Sequence, residues 1–173
     1  MITIVSTTNR EESITYKVAL LYSKLLDQMR EEHQIFDLRQ LPTDFIFSNF
    51  DDTATDDFVN QVDQHINKAD RFIVISPEYH GSYPGIFKAF IDCIGNDGFK
   101  EKKVALVGVS SGRAGNLRGL DHLTALFHHL RAEVYSSKPK LSVIHKLFNE
   151  KDVLDDHDTL KLIQNQINGF LTF

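Results

Sequence analysis

Residues 76–85 read Ser-Pro-Glu-Tyr-His-Gly-Ser-Tyr-Pro-Gly, follow the apolar run Phe72, Ile73, Val74 and Ile75, and precede the helical pattern Ile86, Phe87, Ala89, Phe90 and Ile91. A buried strand that ends in a tight loop and feeds a helix suits ligand binding, because strand ends in an open α/β sheet leave a crevice beside the helix N-terminus. Gly81 and Gly85 let the backbone approach a flat ligand, while Pro77 and Pro84 stiffen the turn. A second group, Thr7, Thr8, Arg10, Ser13 and Thr15, combines hydroxyls, one guanidinium and the free amides of a helix start. That set suits a phosphate monoester. Ser13 acting only as a helix cap accounts for it equally well. A third group, Ser110, Ser111, Gly112, Arg113, Gly115 and Asn116, offers permissive glycines, with Asn116 also a candidate cap and Arg113 either solvated or placed to meet phosphates.

Those groups need a frame. β-Branched and aromatic runs alternate with helical periodicity, which argues for βαβ units around a parallel sheet. Strands are expected at 2–6, 34–38, 71–76, 104–109 and 133–136. Helices are expected at 13–31, around Val59, Val62 and Ile66, at 85–94, from Leu117 through Leu120, Leu123, Leu126 and Phe127, and at 158–173. Five strands and five helices in alternation suit one doubly wound domain over residues 1–173. If the strands run parallel, the segments after the first, third and fourth leave the same edge and share one pocket. Two connectors are long: 39–57 carries Phe45, Phe47 and Phe50 and then Asp51, Asp52, Asp56 and Asp57, which fits a lid or a subunit contact, or packing on its own domain. Residues 138–156 carry no functional reading.

The wording of residues 77–85, followed by an apolar helix with Lys88 and Asp92, resembles the flavin-contacting signature of the NAD(P)H-dependent FMN reductase family. The resemblance implies a flavodoxin-like α/β three-layer sandwich with a five-stranded parallel sheet of order 2-1-3-4-5. It implies FMN as cofactor and NADPH or NADH as donor. The acceptor would be a free flavin, a quinone, an azo compound or a metal oxyanion, with both substrates using one face of the ring in turn. Residues carried over as cofactor contacts are Thr7, Thr8, Arg10, Ser13, Ile14 and Thr15 at the phosphate, Pro77, Glu78, Tyr79, His80, Gly81 and Ser82 along the ring, and Ser110, Gly112 and Arg113 in the third loop. Arg113 would meet the phosphates of the nicotinamide nucleotide. His80 replaces the family's usual Asn, Thr7 its Gly and Thr15 its Asn, while Ser111 and Asn116 replace glycines of the third loop. No catalytic side chain is implied, since the flavin carries the hydride. A homodimer, or a tetramer, is implied as well.

Composition narrows the alternatives. The 173 residues hold 19 Lys and Arg against 24 Asp and Glu, a balance of −5 that makes nucleic acid and anionic membranes poor partners. No signal-like or membrane-spanning segment is visible, so a cytoplasmic, small-molecule enzyme is expected. The single cysteine, Cys93, sits among apolar residues as a packed thiol. GxGxxG, P-loop and G-x-S-x-G fingerprints are absent. His122, His128 and His129 lack converging partners for a metal. The competing reading is an FMN-binding electron carrier or redox sensor without NAD(P)H turnover, and a more remote one is a relative that has lost its flavin.

Overall fold

A computed structural model describes residues 1–49, 53–95 and 97–173. Its centre is a parallel sheet of order β2-β1-β3-β4-β5, built from β1 (Ile2–Ser6), β2 (His33–Asp37), β3 (Arg71–Pro77), β4 (Lys103–Val109) and β5 (Glu133–Val134). A second short strand, β6 (Lys140–Leu141), also pairs with β4. The edge next to β4 is therefore one broken strand: β5 covers Lys103 and Val104, and β6 covers Gly108 and Val109.

Helices lie on both faces. Ile2, Ile4, Ile73, Ile75, Ala105 and Val107 point toward α1 (Ile14–Gln28) and α6 (His157–Thr172). Val5, Phe36, Phe72, Val74, Val104 and Leu106 point to the other side, against α2 (Phe45–Ser48), α3 (Asp56–Val62), α4 (Gly85–Cys93) and α5 (Leu117–His129). Neighbouring strand residues thus alternate between two cores, and both faces are apolar because both are covered. This is the three-layer arrangement that the sequence resemblance implies.

The break between β5 and β6 has a polar solution. Gln166 of α6, which is buried, donates from Nε2 to Leu106 O (3.0 Å) and Ser137 O (2.9 Å), and its Oε1 accepts from the buried Tyr22 hydroxyl (2.7 Å). The side-chain amide takes the place of a missing strand partner for β4, so the middle carbonyl is not left bare.

Several expected details shift. Val59 is half exposed and Phe58 is buried instead, because Thr55 caps α3; the following turns (Asp63–Asn67) widen into a π-helix that buries His65 beside the expected Ile66. Leu117 is exposed, since α5 begins with it at the rim. Of the connector aromatics, Phe45 is buried while Phe47 is 90% exposed; Phe50, Asp51 and Asp52 lie outside the described residues. Residues 138–156 hold β6, a 3-10 turn (Ile144–Lys146) and a Phe148 to Leu154 antiparallel bridge. Among the described residues no helix is long and apolar enough to cross a membrane.

Candidate functional site

Parallel pairing puts the segments after β1, β3 and β4 at one edge, and a cleft opens there between Thr8, Arg10, Glu12, Ser13, Ile14, Thr15, Pro77, Glu78, Tyr79, Val109, Ser110, Ser111 and Ile144. Nine of the residues carried over as cofactor contacts line it: Thr8, Arg10, Ser13, Ile14, Thr15, Pro77, Glu78, Tyr79 and Ser110. Thr7, His80, Gly81, Ser82, Gly112 and Arg113 do not.

In the first loop, Ser13 caps α1, its Oγ accepting from Tyr16 N at 3.1 Å. Among the described residues, no acceptor takes the amides of Thr8, Asn9, Ser13, Ile14 or Thr15, so the chain presents free donors at the positive end of a fifteen-residue helix. Thr7 behaves differently: its amide and its hydroxyl both donate to Ile75 O (3.2 and 3.1 Å), so this buried residue fastens the loop to β3. From outside, Arg39 steadies the same loop. It donates to Glu11 O (2.8 Å), is held by the buried Asp37 carboxylate (2.7 Å from Nε), and lies over the Tyr16 ring at 4.4 Å. Its position just past β2 gave no motif by which sequence could single it out.

The second loop is a tight turn. Tyr79 and Ser82 exchange both backbone hydrogen bonds (2.8 and 3.0 Å) around His80 (φ 51°) and Gly81 (φ 75°). Two successive positive φ values are what a type I′ turn demands, which explains why Asn is usual and His tolerable at the first of them. Tyr79 then reaches the first loop: its hydroxyl is 2.7 Å from Thr8 Oγ1, and the Arg10 guanidinium lies over its ring at 5.0 Å. On its far side the turn meets α5, where His122 Nδ1 is 2.9 Å from Ser82 Oγ and Arg118 approaches Gly81.

The third loop packs close beneath. Asn116 (φ 64°) stands before α5 without capping it; its Nδ2 donates to Ser76 O at 2.9 Å. Ser110 donates to Glu78 Oε2 (3.1 Å) and accepts from Gly112 N (3.0 Å), linking the second and third loops. Arg113 is exposed and does not line the cleft. Cys93 is half-buried on α4, and burial together with Asp92 pushes its thiol up, away from the thiolate.

The donor set fits a flavin mononucleotide. Free amides, the Thr8 and Ser13 hydroxyls and Arg10 match a phosphate dianion at one end, and the rigid 77–82 segment offers an edge for a planar ring at the other. Residues 1–143 match the NADPH-dependent FMN reductase family, and the chain belongs to it. It is thus an oxidoreductase whose cofactor is FMN and whose donor is NAD(P)H. It is 27% identical over 171 residues to the NADH:(hydroxy)cinnamate reductase subunit CrdA of Vibrio ruber, covering 96% of this chain and 83% of that one. It is 35% identical over 107 residues to an FMN-dependent NADPH-azoreductase of Staphylococcus saprophyticus subsp. saprophyticus, a match spanning 58% of this chain and 56% of that enzyme. The flavoenzyme NAD(P)H:(acceptor) oxidoreductase FerB of Paracoccus denitrificans superposes with a TM-score of 0.81 at 23% identity, over 99% of this chain and 94% of that one, which establishes a flavodoxin-like fold.

Proposed function

We propose that residues 1–173 form one FMN-holding domain that oxidises NADPH or NADH and passes the electrons to a small acceptor, with a quinone, an azo compound or a free flavin as the class. The observation that carries this is the meeting, in one cleft, of unpartnered α1 amides with the Pro77, Glu78 and Tyr79 segment. Thr8, Arg10, Ser13, Ile14 and Thr15 hold the phosphate, and Thr7 positions them. Pro77, Glu78 and Tyr79 flank the ring from within the cleft; His80, Gly81 and Ser82 serve through the turn's backbone. Ser110 and Gly112 support Glu78 from the third loop.

Bound FMN supplies hydride acceptance and release between nicotinamide and acceptor. The protein's part is to bind and orient it. Among the described residues the cleft has no histidine or cysteine, so no proton-transfer or nucleophilic step is assigned to either type. The working form is a cytoplasmic homodimer; the exposed Phe47 supports the dimer. Steady-state rates with varied NADPH and a quinone are expected to give parallel double-reciprocal lines, as two substrates sharing one site require. Intersecting lines, or NADPH oxidation by protein stripped of FMN, contradict the reading.

A further inference from the structure

The cleft is lined by three branched aliphatic side chains, and the third comes from a segment with no motif behind it. Ile14 starts α1 and Val109 ends β4, whereas Ile144 belongs to the 3-10 turn after β6, one residue beyond the stretch that matches the family. It is buried in the same core as Val109 and Leu141.

Residues 139–144 form a strap along the third loop. Pro139 O accepts from Gly108 N (2.9 Å), Leu141 O from Ser110 N (3.0 Å), Ser110 O from Ile144 N (3.1 Å) and Gly112 O from Val143 N (3.0 Å). Lys140 packs on the same loop, so closely that a Cβ on Gly115 would lie 2.7 Å from its own Cβ. With its backbone fixed by the strap, the loop has the Ser110 hydroxyl free to hold Glu78.

The strap turns on a costly conformation. Val143 has φ 48° and ψ 41°, in the left-handed region that a β-branched residue rarely enters. Such a backbone persists where its surroundings impose it, and here Val143 N is tied to Gly112 O and Val143 O to Lys146 N. Val143 stands between β6 and Ile144, so the turn it makes sets where Ile144 meets the cleft.

We propose that Ile144 is a cofactor-contact residue that packs on the carbon framework of FMN, and that Val143 is the residue that positions it. An aliphatic side chain offers nothing to a phosphate, but it removes flavin carbons from water. The inference rests on the FMN-reductase reading and adds to it a contact from a segment outside the three loops.

The dissociation constants of FMN and riboflavin are read by flavin fluorescence, and folding by urea unfolding. Ile144→Ala should weaken both flavins alike, about tenfold, the factor that about 1.4 kcal/mol carries, because both ligands share the carbon framework. Ile144→Val should do the same on a smaller scale, and it carries the test if the alanine variant does not fold. Val143→Pro forbids the left-handed conformation and removes the donor to Gly112 O, so it should weaken both flavins as well. Val143→Gly accepts that conformation and keeps the donor; it should restore both affinities to near wild type with no loss of urea midpoint. Lower midpoints with unchanged dissociation constants in the Ile144 variants would reduce Ile144 to core packing and overturn the proposal. A loss confined to FMN would place Ile144 at the phosphate and overturn it too, and undiminished binding by folded Val143→Pro would overturn the positioning role. Wild-type protein that binds neither flavin would overturn the FMN reading itself, and this inference with it.

Discussion

Tyr79 ties together the two segments that would grip opposite ends of FMN. Its backbone closes the turn, while its hydroxyl reaches Thr8 beside Arg10. A single neutral hydrogen bond contributes about 0.5–1.5 kcal/mol, so Tyr79→Phe should raise the dissociation constant of FMN about threefold to tenfold by flavin fluorescence. The effect should be smaller for riboflavin, which lacks the phosphate; equal losses would show that Tyr79 acts on the ring alone. Arg10→Ala and Ser13→Ala should likewise weaken FMN more than riboflavin. Ser13→Ala should also cost about 1 kcal/mol of stability as a lost cap. Full FMN retention in both variants would send the phosphate elsewhere. The shared cleft of these residues was legible in the sequence, because hydroxyls and free amides at a helix start beside a strand end are what a phosphate site would need. Arg39 and His122 were not, since each acts across a gap in sequence on a segment with no motif of its own.

The elements were legible wherever one period held without interruption. β1, β3, β4 and α4 fall within a residue or two of the spans read from alternating and helical patterns. Errors arose where local chemistry reset the period, as at the π-helical turn after α3, or where a side chain substituted for a strand, as Gln166 does beside β4. Gln166→Leu should cost about 1–3 kcal/mol by urea unfolding, because it strands the Tyr22 hydroxyl and two carbonyls in the core; an unchanged midpoint would mean the break is held by packing alone.

The π-helical turn supplies a pH effect as well. His65 is buried, stacked on Phe36 at 4.6 Å, and its Nδ1 finds no partner among the described residues; burial holds its pKa below the usual value. The unfolded chain therefore binds this proton first, and stability should fall as pH drops below about 6.5, down to the lower folded value. His65→Leu should remove that part of the slope between pH 7.5 and 5.5; an identical slope would assign it to other histidines.

Taken whole, the molecule places an amide-lined cleft at one edge of a sheet that is covered on both faces, and leaves Phe47 90% exposed on the same connector that carries the buried Phe45. A phenyl ring so exposed is costly to leave wet, and the proposed homodimer gives it a place. Phe47→Ser should lower the molar mass measured at low concentration while leaving the unfolding temperature nearly unchanged; an unaltered mass would remove Phe47 from the interface. The parallel sheet and the edge where the three loops meet followed from alternation and topology, while the order of the strands followed from the family resemblance. The acceptor did not, because one fold hosts many acceptors and their choice rests on exposed rim residues. The most direct test is the visible spectrum of the protein loaded with FMN and titrated anaerobically with NADPH and, separately, NADH. Protein-bound flavin that bleaches with either nucleotide and regains its colour on adding a quinone is the expected result; bound flavin that stays oxidised, or no bound flavin at all, would contradict it.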